Sequence, residues 1–174
     1  MDEVSTFHEQ FPIFLGGNGK LVQIDECMVG GRRKYNKGRY GQVQIWVFGA
    51  IYYETKKIVL IHVGDRQSET LIPLIKMHIK DGSKIHSDCY KSYNSLESEN
   101  FEHDTVDHIK FFMNQNTNTN TQMIESVWAK VKKFFRVKNG VKKDDVQNLL
   151  DYISFINNNE DPLNTYLLLI GAKK

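Results

Sequence analysis

The chain has 174 residues, 40% hydrophobic and 25% charged, enough for one domain with a full core and too few for a second of ordinary size. Cys27 and Cys89 are too few for a disulfide scaffold and lack the CxxC spacing of a zinc site. No apolar run approaches the ~20 residues of a membrane helix, the N-terminus lacks a signal-peptide pattern, and the net charge of +2 is uninformative as a sum, so an intracellular protein is expected.

Residues 1–20 read as a lead-in segment. "LVQIDECMV" is then a strand, closed by Gly30 and Gly31. The following "RRKYNKGR" carries Arg32, Arg33, Lys34, Lys37 and Arg39 with no acid. "QVQIWVFGAIYY" and "KKIVLIHV" are two further apolar strands, and "ETKK" between them suits a hairpin turn. After "GDRQSE", the stretch "TLIPLIKMHIKDG" has helical spacing, with Pro73 in the first turn.

A short strand "KIHS" precedes "DCYKSYNSL", which reads as a helix starting at Asp88, and a fifth strand is expected around Val106–Ile109. The polar run "NQNTNTNT" is a loop by composition. Beyond Thr121 comes an amphipathic helix whose face is Met123, Ile124, Val127, Trp128, Val131, Phe134 and Phe135. From Lys130 to Lys143 the chain carries seven basic residues and no acid. A last helix runs through "KKDDVQNLLDYISFINN", and 161–174 form a tail. Strands, crossover helix, strands and helices in this order give a mixed sheet with helices on its faces, an α/β architecture over residues 21–160.

Three acids fit their elements poorly. Asp25 lies inside a strand, where Asp is depleted and no turn or cap explains it. Asp88 ends a strand, where an N-cap role is the plain alternative. Glu125 sits at the edge of the apolar helical face, with Trp128 and Ala129 as its i+3 and i+4 neighbours, so it gains no helical ion pair. Its plain explanation is an acid in the first turn after a Thr121 N-cap. If the strands of Asp25 and Asp88 are neighbours and the helix crosses one face, three carboxylates meet. They repel unless cations stand between them, and hard oxygen ligands with an incomplete shell suit two Mg²⁺ ions, with Mn²⁺ as a substitute.

"VQIDECMVGGRRKYNKGR", "IHSDCYKSYNSL" and "TNTQMIESVWAKVK" resemble the three motif blocks of DDE transposases of the Merlin superfamily and their bacterial insertion-sequence relatives, from about Leu21 to Arg136. The blocks occur in the family's order, and the 37 positions from Asp88 to Glu125 are like the family's spacing. The resemblance implies an RNase H-like, integrase-type five-stranded mixed sheet flanked by helices, with Asp25, Asp88 and Glu125 as catalytic acids. It implies DNA strand cleavage and strand transfer on double-stranded DNA, transposon ends and target, by a homodimer or higher oligomer. The site of action is then the nucleus in a eukaryote and the cytoplasm in a bacterium. The alternatives are a transposase-derived DNA-binding protein without catalysis and an RNase H-like nuclease.

This chain departs from the family in lacking the Cys/His set of an N-terminal zinc ribbon, and in having Cys27 and Asn120 where a small or hydroxyl residue and a histidine are common. Beside the expected site, Arg32, Arg33, Lys34 and Arg39, with Lys132 and Arg136 on Glu125's edge of the helix, are the expected DNA phosphate contacts. Trp128 and Trp46 are expected in the core, and His86 and His108 as structural residues, not ligands.

Overall fold

The computed structural model describes residues 12–29, 44–106, 120–138 and 141–171. Seven strands lie among them: β1 (Leu15–Gly16), β2 (Leu21–Val29), β3 (Ile45–Tyr52), β4 (Ile58–Val63), β5 (Ile79–Lys80), β6 (Lys84–Asp88) and β7 (Glu102–Val106). The helices are α1 (Ser68–His78), α2 (Gln122–Val137), α3 (Val146–Asn158) and α4 (Pro162–Gly171). None is long and apolar enough to cross a membrane. Five strands form one sheet in the order β4-β3-β2-β6-β7, and β1 pairs with β5 in a separate parallel ribbon.

β2, β3 and β4 form an antiparallel meander, as their alternating apolar runs and the short β3–β4 turn require. β6 joins the free side of β2 in parallel, and β7 joins β6 in parallel. A parallel neighbour needs a crossover over one face, and α1 lies in that connection. The two faces then bury separate cores. Cys27, Val47 and Leu60 face α2 and α3, against Ile124, Trp128, Val131 and Leu150. Ile24, Phe48 and Val59 face α1, against Leu71, Ile75 and Tyr93.

The exposed side of β4 is closed by α3. Asn158 accepts the Ile58 N–H at 2.7 Å and donates to the Ile58 carbonyl at 2.8 Å. Gln147 accepts the His62 N–H at 2.8 Å and donates to the Leu60 carbonyl at 3.2 Å. Two side-chain amides thus stand where another strand could otherwise pair, which is one way an edge is protected.

Three local expectations are corrected. α1 starts at Ser68, so Pro73 lies inside the helix; it is exposed on the solvent face, and the helix yields to β5 at Ile79. "DCYKSYNSL" forms two 3₁₀ turns, Lys91–Tyr93 and Leu96–Glu99, which bury Tyr93 and Leu96 at the i, i+3 spacing of a three-residue turn. The fifth strand lies earlier, at Glu102–Val106, and residues 107–119, with His108, fall outside the described residues. β7 has little apolar pattern because polar cross-strand contacts hold it: Lys84 to Asp104 at 2.7 Å and Ser87 to His103 at 2.8 Å.

Candidate active site

β2 and β6 pair through Leu21–Lys84, Val22–Ile85 and Gln23–His86. Asp25 and Asp88 each stand two residues beyond the last of these pairs, so strand alternation turns both to the face covered by α2. Past that pair the ladder ends, and β2 continues on β3 alone while β6 continues on β7. The two acids therefore flank the opening where β2 and β6 part, Asp25 in the middle of β2 and Asp88 at the carboxyl end of β6.

Each Asp25 oxygen receives an N–H. Oδ1 accepts the Glu26 amide at 2.8 Å, and Oδ2 accepts the Trp128 indole Nε1–H at 2.8 Å. Asp88 Oδ1 accepts the Tyr90 amide at 3.0 Å, so it turns the chain out of β6 without capping a long helix. Trp128 is 5% exposed and belongs to the core, as expected, and so has no open face for a base to stack on. Its ring crosses β3 at Gly49, the cross-strand partner of Asp25, where an added Cβ would stand 2.5 Å from Cη2 and 2.8 Å from Cζ2. Only glycine leaves the ring that seat.

Glu125 lies in the first turn of α2 and is exposed. Thr121 occupies the N-cap position without capping: its hydroxyl donates to Glu125 Oε1 at 3.2 Å. The capping acceptor comes from β2. Gln23, fully buried, accepts the Met123 and Ile124 N–H groups at 3.0 and 3.2 Å and donates to Asn120 Oδ1 at 3.0 Å. The strand of Asp25 thereby holds the start of the Glu125 helix. Among the described residues, no three His, Cys, Asp or Glu side chains are close enough to hold an ion together, so the expected meeting of Asp25, Asp88 and Glu125 is not seen as one cluster; β2 and β6 bring Asp25 and Asp88 to one face, and Glu125 stands exposed at the start of α2.

Burial raises the Cys27 thiol pKa, and the Lys132 ammonium beside it pulls the other way. Lys132 thus reaches the Asp25 face from α2, while Arg136, a turn later, is exposed and donates through Nε to the Lys132 carbonyl at 3.2 Å. Arg32, Arg33, Lys34 and Arg39 lie outside the described residues. His86 is buried and its pKa lowered by that burial; Nε2 is 3.9 Å from Asp104, beyond hydrogen-bond range. Trp46 is half-buried, with the Arg66 guanidinium stacked 4.0 Å from its ring centre and 4.8 Å from that of Tyr90.

Sequence reading missed Glu26, on the opposite face of β2 beside Arg66. Its Oε1 is buried with no hydrogen-bond partner. Burial, then the charges of Asp25 and Asp88, push its pKa up to about 8, with Arg66 opposing. Gln23, Gly49 and Arg66 were missed as well. An acid pair "DE" inside a strand and a glycine in an apolar run were the only signals, and neither reveals a partner distant in sequence.

Comparison with known proteins agrees with this layout. The profile of the ISXO2-like transposase domain matches residues 15–156. An uncharacterized transposase-like protein of Haemophilus influenzae is 27% identical over 105 residues, covering 60% of this chain and 84% of that protein. The catalytic core domain of bovine immunodeficiency virus (BIV) integrase superposes with a TM-score of 0.53 at 13% identity, over 88% of this chain and 97% of that one. A chain of the simian T-cell lymphotropic virus intasome complex gives 0.50 at 14% identity over 83% of this chain, which spans about half (53%) of the viral chain. The mixed sheet with its helices matches the RNase H-like fold of a retroviral integrase catalytic core. By its sequence, the chain belongs to the ISXO2-like transposase domain family.

Proposed function

We propose that this DDE transposase domain cuts double-stranded DNA and joins the cut strand to a target, with Asp25 and Asp88 as the principal ligands of two divalent cations. Asp25 would serve both ions, and Glu125 would complete one site. Residues 21–160 form the catalytic unit. The three motif blocks favour kinship with the Merlin superfamily, and the unit works as a dimer or larger assembly on DNA, in the cytoplasm of a bacterium or the nucleus of a eukaryote.

The observation that carries the reading is the β2–β6 register, which turns two acids to one face just past the last β2–β6 pair. The donor set fits Mg²⁺, or Mn²⁺ in its place: carboxylate oxygens are hard ligands, and Mg²⁺ is ordinarily held by one or two carboxylates plus waters and substrate phosphates, so no closed protein cage is required. When bound, such ions supply an activated oxygen nucleophile and stabilise the leaving oxygen at phosphorus. The chain's own groups do the positioning. The Glu26 amide and Trp128 indole orient Asp25, and Lys132 and Arg136, with Arg32, Arg33, Lys34 and Arg39, receive backbone phosphates. Water and then a DNA 3′-hydroxyl are the nucleophiles in this reading, so no covalent protein–DNA link forms.

The test is Mn²⁺-dependent nicking and strand transfer on plasmid and linear duplex DNA. Asp25→Asn and Asp88→Asn should lower both by on the order of a hundredfold or more, since each removes a ligand and not merely an outer contact worth ~10–100-fold. DNA binding in EDTA should persist. Full activity in Asp88→Asn would refute the reading, and nicking without joined products would mark a nuclease.

A further inference from the structure

We infer that Trp128 is a positioning residue for Asp25, its indole N–H fixing the carboxylate in the orientation that receives the cation. This rests on the two-ion reading above. An N–H bonded to each oxygen of an ionised carboxylate fixes the rotation of the group. Asp25 is held in that way: the Glu26 amide at 2.8 Å comes from its own strand, and the Trp128 indole at 2.8 Å comes from α2. The local bond fixes one oxygen, and the bond across the core fixes the rotation about it.

The indole is suited to the task because it is itself immobile. It is 5% exposed, it lies over Gly49 where any Cβ would strike it, and Ile124 of the same helix packs beside it. Its bond is a neutral donor, which orients a ligand without competing for the site as a lysine or arginine would. Glu125 is three residues before Trp128 on α2, and Gln23 on β2 holds the start of that helix. The indole bond therefore also sets how the carrier of the third acid sits on the carrier of the first. Outer contacts that orient metal ligands are worth ~10–100-fold in metal affinity or activity.

A packing role alone would be served by any flat ring, which gives the test. Trp128→Phe keeps an aromatic ring and removes the donor. Incorporation of 3-benzothienylalanine at position 128 keeps the whole outline with sulfur in place of N–H, which covers the event that the phenylalanine variant folds poorly. Mn²⁺ binding to the full chain is followed by electron paramagnetic resonance of the free ion, alongside the Mn²⁺ concentration giving half-maximal nicking. The result expected is about tenfold weaker Mn²⁺ binding and a matching rise in the half-maximal concentration in both variants, with DNA affinity in EDTA unchanged. Wild-type Mn²⁺ affinity in the benzothienyl variant overturns the inference and leaves the two-ion reading standing. Mn²⁺ binding that survives Asp25→Asn and Asp88→Asn, or that the wild-type chain lacks, overturns both.

Discussion

A carboxylate within a strand is costly unless donors meet it, and Asp25 meets one from its own backbone and one from a helix about a hundred residues away in sequence. That Asp25 was out of place in an apolar strand was readable from the sequence; that Trp128 answers it was not, because the pairing depends on how α2 lies over β3 at Gly49. Glu26 was equally hidden. Its pKa, pushed up to about 8, lies above the ordinary value of 4.5, so between those limits the folded state holds a proton that the unfolded chain has released. Stability from this group is therefore present at low pH, falls as pH rises through the window, and levels off above the folded value. Melting temperatures in EDTA should show Glu26→Gln gaining on the wild type by about 10 °C between pH 5 and pH 8. A constant difference would mean that Glu26 is ionised throughout.

At the level of elements, α2 shows what periodicity can and cannot reveal. Its apolar face was legible, and Ile124, Val127, Trp128, Val131 and Phe135 are all buried as their spacing requires. Its start was misread: Thr121 has the residue type of a cap, yet Gln23 does the capping, and a glutamine inside a strand carries no local sign of that. β7 and the 3₁₀ turns were hard to read for a related reason, since polar cross-strand pairs and three-residue turns leave no clear period of 2 or 3.6. Gln23→Ala should cost about 1–3 kcal/mol by leaving two buried N–H groups without their acceptor. Thr121→Val should cost less. Urea unfolding of the two variants checks this, and equal losses would remove Gln23 from its capping role.

For the molecule as a whole, the order of strands and helices was enough to give the mixed five-stranded sheet, because a three-strand meander followed by a crossover helix leaves few places for the next strand. The pairing of β2 with β6 then turned to one face two acids that lie 63 positions apart. The charge clusters were legible as sequence, and Lys132 is seen at the Asp25 face through its contact with Cys27. Lys132→Ala and Arg136→Ala should each weaken DNA binding similarly across sequences and lower the slope of log affinity against log salt by about 1. An unchanged slope would take that residue off the DNA path.

The most direct measurement is anomalous X-ray scattering from crystals soaked in Mn²⁺. Two peaks should lie in the opening where β2 and β6 part, with Asp25 touching both, Asp88 touching at least one, and Asp25 Oδ2 still bonded to the Trp128 indole. Saturating Mn²⁺ that leaves this place empty, or gathers at carboxylates elsewhere, would contradict the assignment of these acids to metal-dependent DNA chemistry.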